Sequence, residues 1–232
     1  MTSFEDIKKY LPQYLSDSDA KQLFSSLKDF PNNIDSRFYS NYDLDANILY
    51  QGDCLKDIPA FNLPNTYSKV SQSMAISNTC DMDLSNKRLW NTRILFSQII
   101  LLERLVKGLY QKFPEDKVSN YISSLKKQQV TNDFYLPKSN NLDEAVVFFD
   151  YTNSFDIHFI NRDSLKEKRL VSLSNYGFYI LLIKLSIHFT RVQEKVQRNY
   201  IILIKTCSLL KQLRASVGTF YELKIKAGDN VY

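Results

Sequence analysis

Between about residues 48 and 99 the chain is a series of short apolar runs cut by turn signals: Ile48-Leu49-Tyr50, Ile58 to Leu63, Ser73 to Ile76 and Thr92 to Ile100. Runs of this length and spacing predict short strands in a small barrel or sheet. Two polar segments bracket one edge of it, Tyr50-Gln51-Gly52-Asp53 and Ala75-Ile76-Ser77-Asn78-Thr79-Cys80-Asp81. The second turns a strand-like stretch into five small or polar residues. Such a cluster at a strand end gathers hydroxyl, amide, thiol and carboxylate groups on one rim, where sites are commonly built.

Helical spacing flanks this region. Two short helices are expected over residues 4–30, the second carrying Leu23, Phe24 and Leu27 on one face and stopped by Pro31-Asn32-Asn33. Leu101, Leu102, Leu105 and Leu109 mark another helix, and Val118, Tyr121, Ile122 and Leu125 a further one at 116–129. Extended structure resumes at Phe134-Tyr135-Leu136-Pro137, Val146 to Phe149, Ile157 to Ile160 and Leu170 to Leu173, with Asn153-Ser154 as turn material. Strands in two groups with helices between them predict α+β architecture. The expected organisation is a single domain over 1–232: N-terminal helices (1–47), a barrel (48–173) with inserted helices (101–129), and C-terminal helices with a tail (174–232).

The chemistry-bearing residues exclude several classes. Three scattered cysteines and two histidines among 232 residues offer no zinc spacing, so neither a metal nor a cofactor is expected. Unpaired cysteines fit a reducing, cytoplasmic compartment. The start, Met1-Thr2-Ser3-Phe4-Glu5-Asp6, lacks a signal peptide's basic and apolar regions, and the apolar stretches are too short to span a bilayer. No membrane association is expected. A net charge of +5 permits a polyanionic partner without requiring one.

Lys184, His188, Arg191, Lys195 and Arg198 recur at spacings of three and four, forming one stripe along a helix. Phe178, Leu181, Leu182, Leu185, Phe189, Val192 and Val196 form its apolar side. Two readings fit the stripe: a solvated helix face, or a ridge on which Lys184, Arg191, Lys195 and Arg198 hold phosphates. His188 among these cations is the candidate general base, since positive neighbours favour its neutral form. The apolar residues within 176–214 offer a docking surface for a protein partner or a second copy.

At the rim, Asp53, Ser77, Asn78 and Asp81 are the candidate site residues. The competing reading is a turn whose Asn, Thr and Asp side chains bond its own backbone. Two carboxylates would repel an anion unless paired, so at least one of Asp53 and Asp81 is expected to contact its own turn or a cation such as Lys69, Arg88 or Arg93.

Gly52-Asp53 after a first strand, and Ala75-Ile76 ending in Ser77-Asn78, resemble the corresponding features of the MazF/PemK family of small barrels. The resemblance spans a quarter to a third of the chain. It implies an SH3-like or MazF/PemK-like β-barrel with N- and C-terminal helical additions. It also implies metal-independent cleavage of single-stranded RNA. By the same resemblance Lys69 matches the family's loop arginine, and Ser97 its strand-end Ser/Thr. Lysine there is a point charge where arginine is a planar fork. The expectation is therefore a toxin-like or defence-associated RNA-binding protein with ribonuclease activity. The alternative is a non-catalytic interaction module.

Overall fold

The computed structural model describes Leu23 and residues 25–32, 34–41 and 44–190. The chain divides into two units, Met1–Arg191 and Val192–Tyr232, and all described residues belong to the first. Of the N-terminal helices expected over 4–30, Leu23 and residues 25–28 are helical, residues 29 and 30 are turn, and residues 4–22 and 24 lie outside the described residues.

Six antiparallel strands form one sheet: β1 (Cys54–Asn62), β2 (Asn65–Ala75), β3 (Arg93–Leu101), β4 (Asp133–Leu136), β5 (Ala145–Asp156) and β6 (Arg169–Val171). Their order across the sheet is β4-β5-β3-β2-β1-β6. Helices Leu102–Tyr110 and Glu115–Lys126 join β3 to β4, and helix Asn175–Thr190 follows β6.

The architecture is α+β, and the SH3-like or MazF/PemK-like barrel is not formed. All six strands share one sheet, as a barrel would need, but its outer strands β4 and β6 do not pair with each other. Each edge is occupied locally instead. The Gln128 side-chain amide donates to the Tyr135 carbonyl at 2.6 Å and accepts the Tyr135 N–H at 3.2 Å, covering β4. Beside β6, Ser40 N–H donates to the Ser172 carbonyl at 2.9 Å. Both devices satisfy edge groups that would otherwise recruit another strand.

The pleat sends successive residues to opposite faces. Cys54, Met74, Phe134 and Leu136 point to one face, where they pack with Phe38 and with Tyr176, Ile180 and Leu181 of the last helix. Leu55, Ala75, Ile94 and Phe96 point to the other, under Met82, Ile157, Ile160 and Leu165. Farther along that second face Tyr135 and Val146 meet Leu102 and Leu125 of the two-helix insertion. Each fully buried side chain of this size contributes about 1.5–3 kcal/mol.

Two strand irregularities shape the molecule. In β1 one extra residue is accommodated between Leu55 and Ile58, with Asp57 in the left-handed region at φ 61°. Such a bulge bends its strand. The β1–β2 hairpin reaches across to β5, where Phe61 meets Phe155 at 6.4 Å between ring centroids. In β5 the register slips: Thr152 faces Ser97, but Val147 faces Ile99. Residues 148–151 thus stand opposite Gln98 alone. Two sequence expectations change here. Asn153-Ser154 is strand, not turn, because the Asn153 amide bonds Phe61 and the Ser154 hydroxyl accepts from Arg93. Ile157–Phe159 is a 3-10 turn capped by Asp156 rather than a strand.

Candidate functional site

The two polar segments are stitched to the framework. Asp53 is fully buried. Its carboxylate accepts the Tyr50 N–H of its own turn at 2.9 Å, Nε of Arg169 at 3.1 Å, and the Ser172 hydroxyl. Burial pushes this carboxyl up, while Arg169, Ser172 and the Tyr50 N–H pull it down. Arg169 also donates to the carbonyls of Asp45 and Ile48. Gly52 is required beside it, since at φ +93° a Cβ would lie 2.6 Å from Leu173. In the second segment Ser77 Oγ accepts the Leu95 N–H at 2.9 Å, and Thr79 Oγ1 the Gln51 N–H at 3.0 Å. Asn78 caps the short helix Thr79–Met82 through the Cys80 N–H, and Asp81 meets the Arg88 guanidinium at 2.6 Å. The polar atoms of Asp53, Ser77, Asn78 and Asp81 therefore hold backbone and neighbouring cations.

Ser97 is fully buried, its hydroxyl 2.6 Å from that of Thr152. Lys69 precedes Met74, the residue opposite Ser97, by five positions. That is about 17 Å of extended strand. The two residues do not converge on one reacting atom.

The basic stripe begins on the inner side of its helix. Lys184 is 4% exposed, and its ammonium donates to the carbonyls of Gln128, at 3.0 Å, and Val130. It therefore secures the turn after helix Glu115–Lys126 and is not on an outer ridge. The helix seats this way because Gly177 lets it close on the Phe38 backbone, where a Cβ would lie 2.3 Å from the carbonyl oxygen. His188 packs against Phe149 at 5.4 Å, with Nε2 3.8 Å from an Asp150 carboxylate oxygen. Arg191, Lys195 and Arg198 lie outside the described residues. Among the described residues no group of His, Cys, Asp and Glu is arranged to hold a metal, and no helix is long and apolar enough to cross a membrane.

A different surface has the open chemistry. The β1–β2 hairpin and the β3–β5 seam enclose a cleft of about 330 Å³, lined on one side by Phe61, Asn62, Asn65, Tyr67 and Lys69 and on the other by Gln98, Ile100 and Tyr151. Tyr67 and Tyr151 are 72% and 47% exposed, so their ring faces are available. Among the described residues Lys69 is the cleft's one charged side chain, and no carboxylate lines it. A larger groove beside the two-helix insertion differs. Its lysines are answered by acids, with Lys126–Glu144 at 2.6 Å and Lys138–Asp143 at 2.9 Å. That groove offers an anion no net attraction.

No protein-family model matches the chain, and no curated protein matches its sequence.

Of the residues singled out from sequence, the cleft contains Lys69 alone. Tyr67, Tyr151 and Gln98 were missed. Gln98 carried a legible signal, since it interrupts the apolar run Leu95 to Ile100 next to Ser97. Tyr67 sits in a polar hairpin strand with no apolar pattern to mark it.

Proposed function

We propose that this chain binds single-stranded nucleic acid, RNA in the first instance, through the cleft under the β1–β2 hairpin. The observation that supports the reading is its lining: exposed aromatic faces, several amides and an unopposed lysine. Bases stack on tyrosine faces for roughly 1–3 kcal/mol each, without regard to sequence, while a cation meets the backbone. At 330 Å³ the cleft is near the lower end of ligand sites, suited to one unstacked nucleotide rather than to a duplex.

The reading is one of binding. Ser97, the candidate catalytic serine, is buried against Thr152, and Lys69 stands too far along β2 to act with it. Titration of a fluorescent single-stranded RNA across a salt series tests the proposal. Affinity should fall as salt rises, with a logarithmic slope of about −0.7 per phosphate contacted. No binding at low salt, or a flat response, contradicts it.

A second reading is favoured by one observation. Ile183 and Ile187, one turn apart on the last helix, are 48% and 43% exposed. Such an apolar pair on one face suits a second copy of the chain. A concentration-independent monomer mass counts against that reading.

A further inference from the structure

We propose that Gln98 reads the base in the cleft and selects adenine, an inference that rests on the nucleic-acid reading above. Gln98 is 94% buried by its 6% residual exposure, yet it lines the cleft. Among the described residues its side-chain amide makes no hydrogen bond, yet it is not one of their fully buried unpaired groups, so the amide keeps part of the residue's remaining exposure. An amide in that position takes its partners from water or a ligand. Gln128, also buried, instead bonds both main-chain groups of Tyr135.

The backbone explains how Gln98 comes to face the opening. The slip between Ser97 and Ile99 sets residues 148–151 of β5 against it, so the ladder leaves a gap at that point. Bulges of this kind re-aim side chains and are frequent beside sites. The same excursion carries Tyr151 to the cleft wall, where Phe148 supports its ring at 5.6 Å. A base entering between Tyr151 and Tyr67 would meet the Gln98 amide edge-on, with Lys69 on the hairpin side.

A carboxamide offers one donor and one acceptor side by side. Adenine presents the matching pair on two edges, N6–H with N7 and N6–H with N1. Guanine presents two acceptors, O6 and N7, on its Hoogsteen edge and a matching acceptor–donor pair, O6 with N1–H, only on its Watson–Crick edge, where the pyrimidines carry theirs. Adenine is therefore the base that this site can hold by either of two edges. Lys69 favours a nucleotide over a neutral sugar, which would also use aromatic and amide contacts.

The test uses the full chain and oligouridine strands carrying one central A, C, G or U, at a single salt concentration. The parent should bind the A-containing strand about tenfold more tightly than the others, within the range of one bidentate pair. Gln98→Met, which conserves volume, should erase that preference and retain weaker, salt-dependent binding to all four strands. Gln98→Glu removes the donor and presents two acceptors to the N1–H and N2–H donors of guanine. It should move the preference to the G-containing strand, an outcome that lost packing would not produce. Equal affinity of the parent for all four strands, with salt dependence intact, overturns the adenine assignment and spares the nucleic-acid reading. Binding of a neutral polysaccharide but of none of the strands overturns both.

Discussion

The side-chain amide of Asn153 in β5 bonds both main-chain groups of Phe61 in β1, accepting its N–H at 2.9 Å and donating to its carbonyl at 3.0 Å. β1 and β5 are separated in the sheet by β2 and β3. One side chain thus bridges a gap that a barrel would close with a ladder, and it holds the hairpin over the cleft. Asn153→Ala should lower stability by about 1–2 kcal/mol, the net worth of two neutral hydrogen bonds. Urea unfolding measures that loss, and the Phe61 amide should exchange with solvent faster. Unchanged exchange at Phe61 would mean that other contacts hold the hairpin.

The two aspartates of the polar segments differ through burial. Asp53 and Arg169 form an ion pair whose side chains are 0% and 12% exposed, whereas Asp81 and Arg88 are 49% and 40% exposed. Arg169→Met should cost about 3–5 kcal/mol because it leaves a buried carboxylate without its cation. Asp81→Asn should cost under about 1 kcal/mol. Thermal or urea unfolding of the two variants compares them directly. Equal losses would contradict the difference in burial.

Lys184 makes stability depend on pH in the alkaline range. Burial pushes its ammonium from 10.5 down to about 8, only partly offset by Asp133. Between these values the unfolded chain keeps a proton that the folded chain has released. Stability therefore rises with pH across that interval, and the gain is lost as pH falls through about 8. Lys184→Met should flatten this rise. Urea unfolding at about pH 7, 8.5 and 10, which begins below the folded titration and runs through the interval in which only the unfolded chain holds the proton, checks it. A parent whose stability does not rise, or a variant with the parent's slope, contradicts the assignment.

The strands and helices with dense apolar runs were legible in the sequence: β1, β3, β4, the start of β5 and the two-helix insertion. The first half of β2 was not, because Asn65 to Ser71 lies in an exposed hairpin with no buried face to impose alternation. Asn153-Ser154 read as a turn because both side chains act on distant main chain and side chain, which local propensity does not record. The Lys184 stripe read as an outer face because apolar residues surround the last helix almost completely. Periodicity could not choose its inner side; the contact at Gly177 does. Barrel closure depended on whether the outer strands meet, and no local pattern encodes that. For the site, Lys69 was named through the family resemblance as a match for a loop arginine and stands in strand β2, whereas the cleft around it arises from a bulge in β1 and a register slip in β5.

Photochemical cross-linking of single-stranded RNA to the full chain, followed by mass mapping of the modified peptide, tests the central claim most directly. The cleft account predicts attachment at Tyr67 or Tyr151, reduced by excess unlabelled strand and weakened by Lys69→Gln. Cross-links confined to residues outside the hairpin and the β3–β5 seam would contradict it.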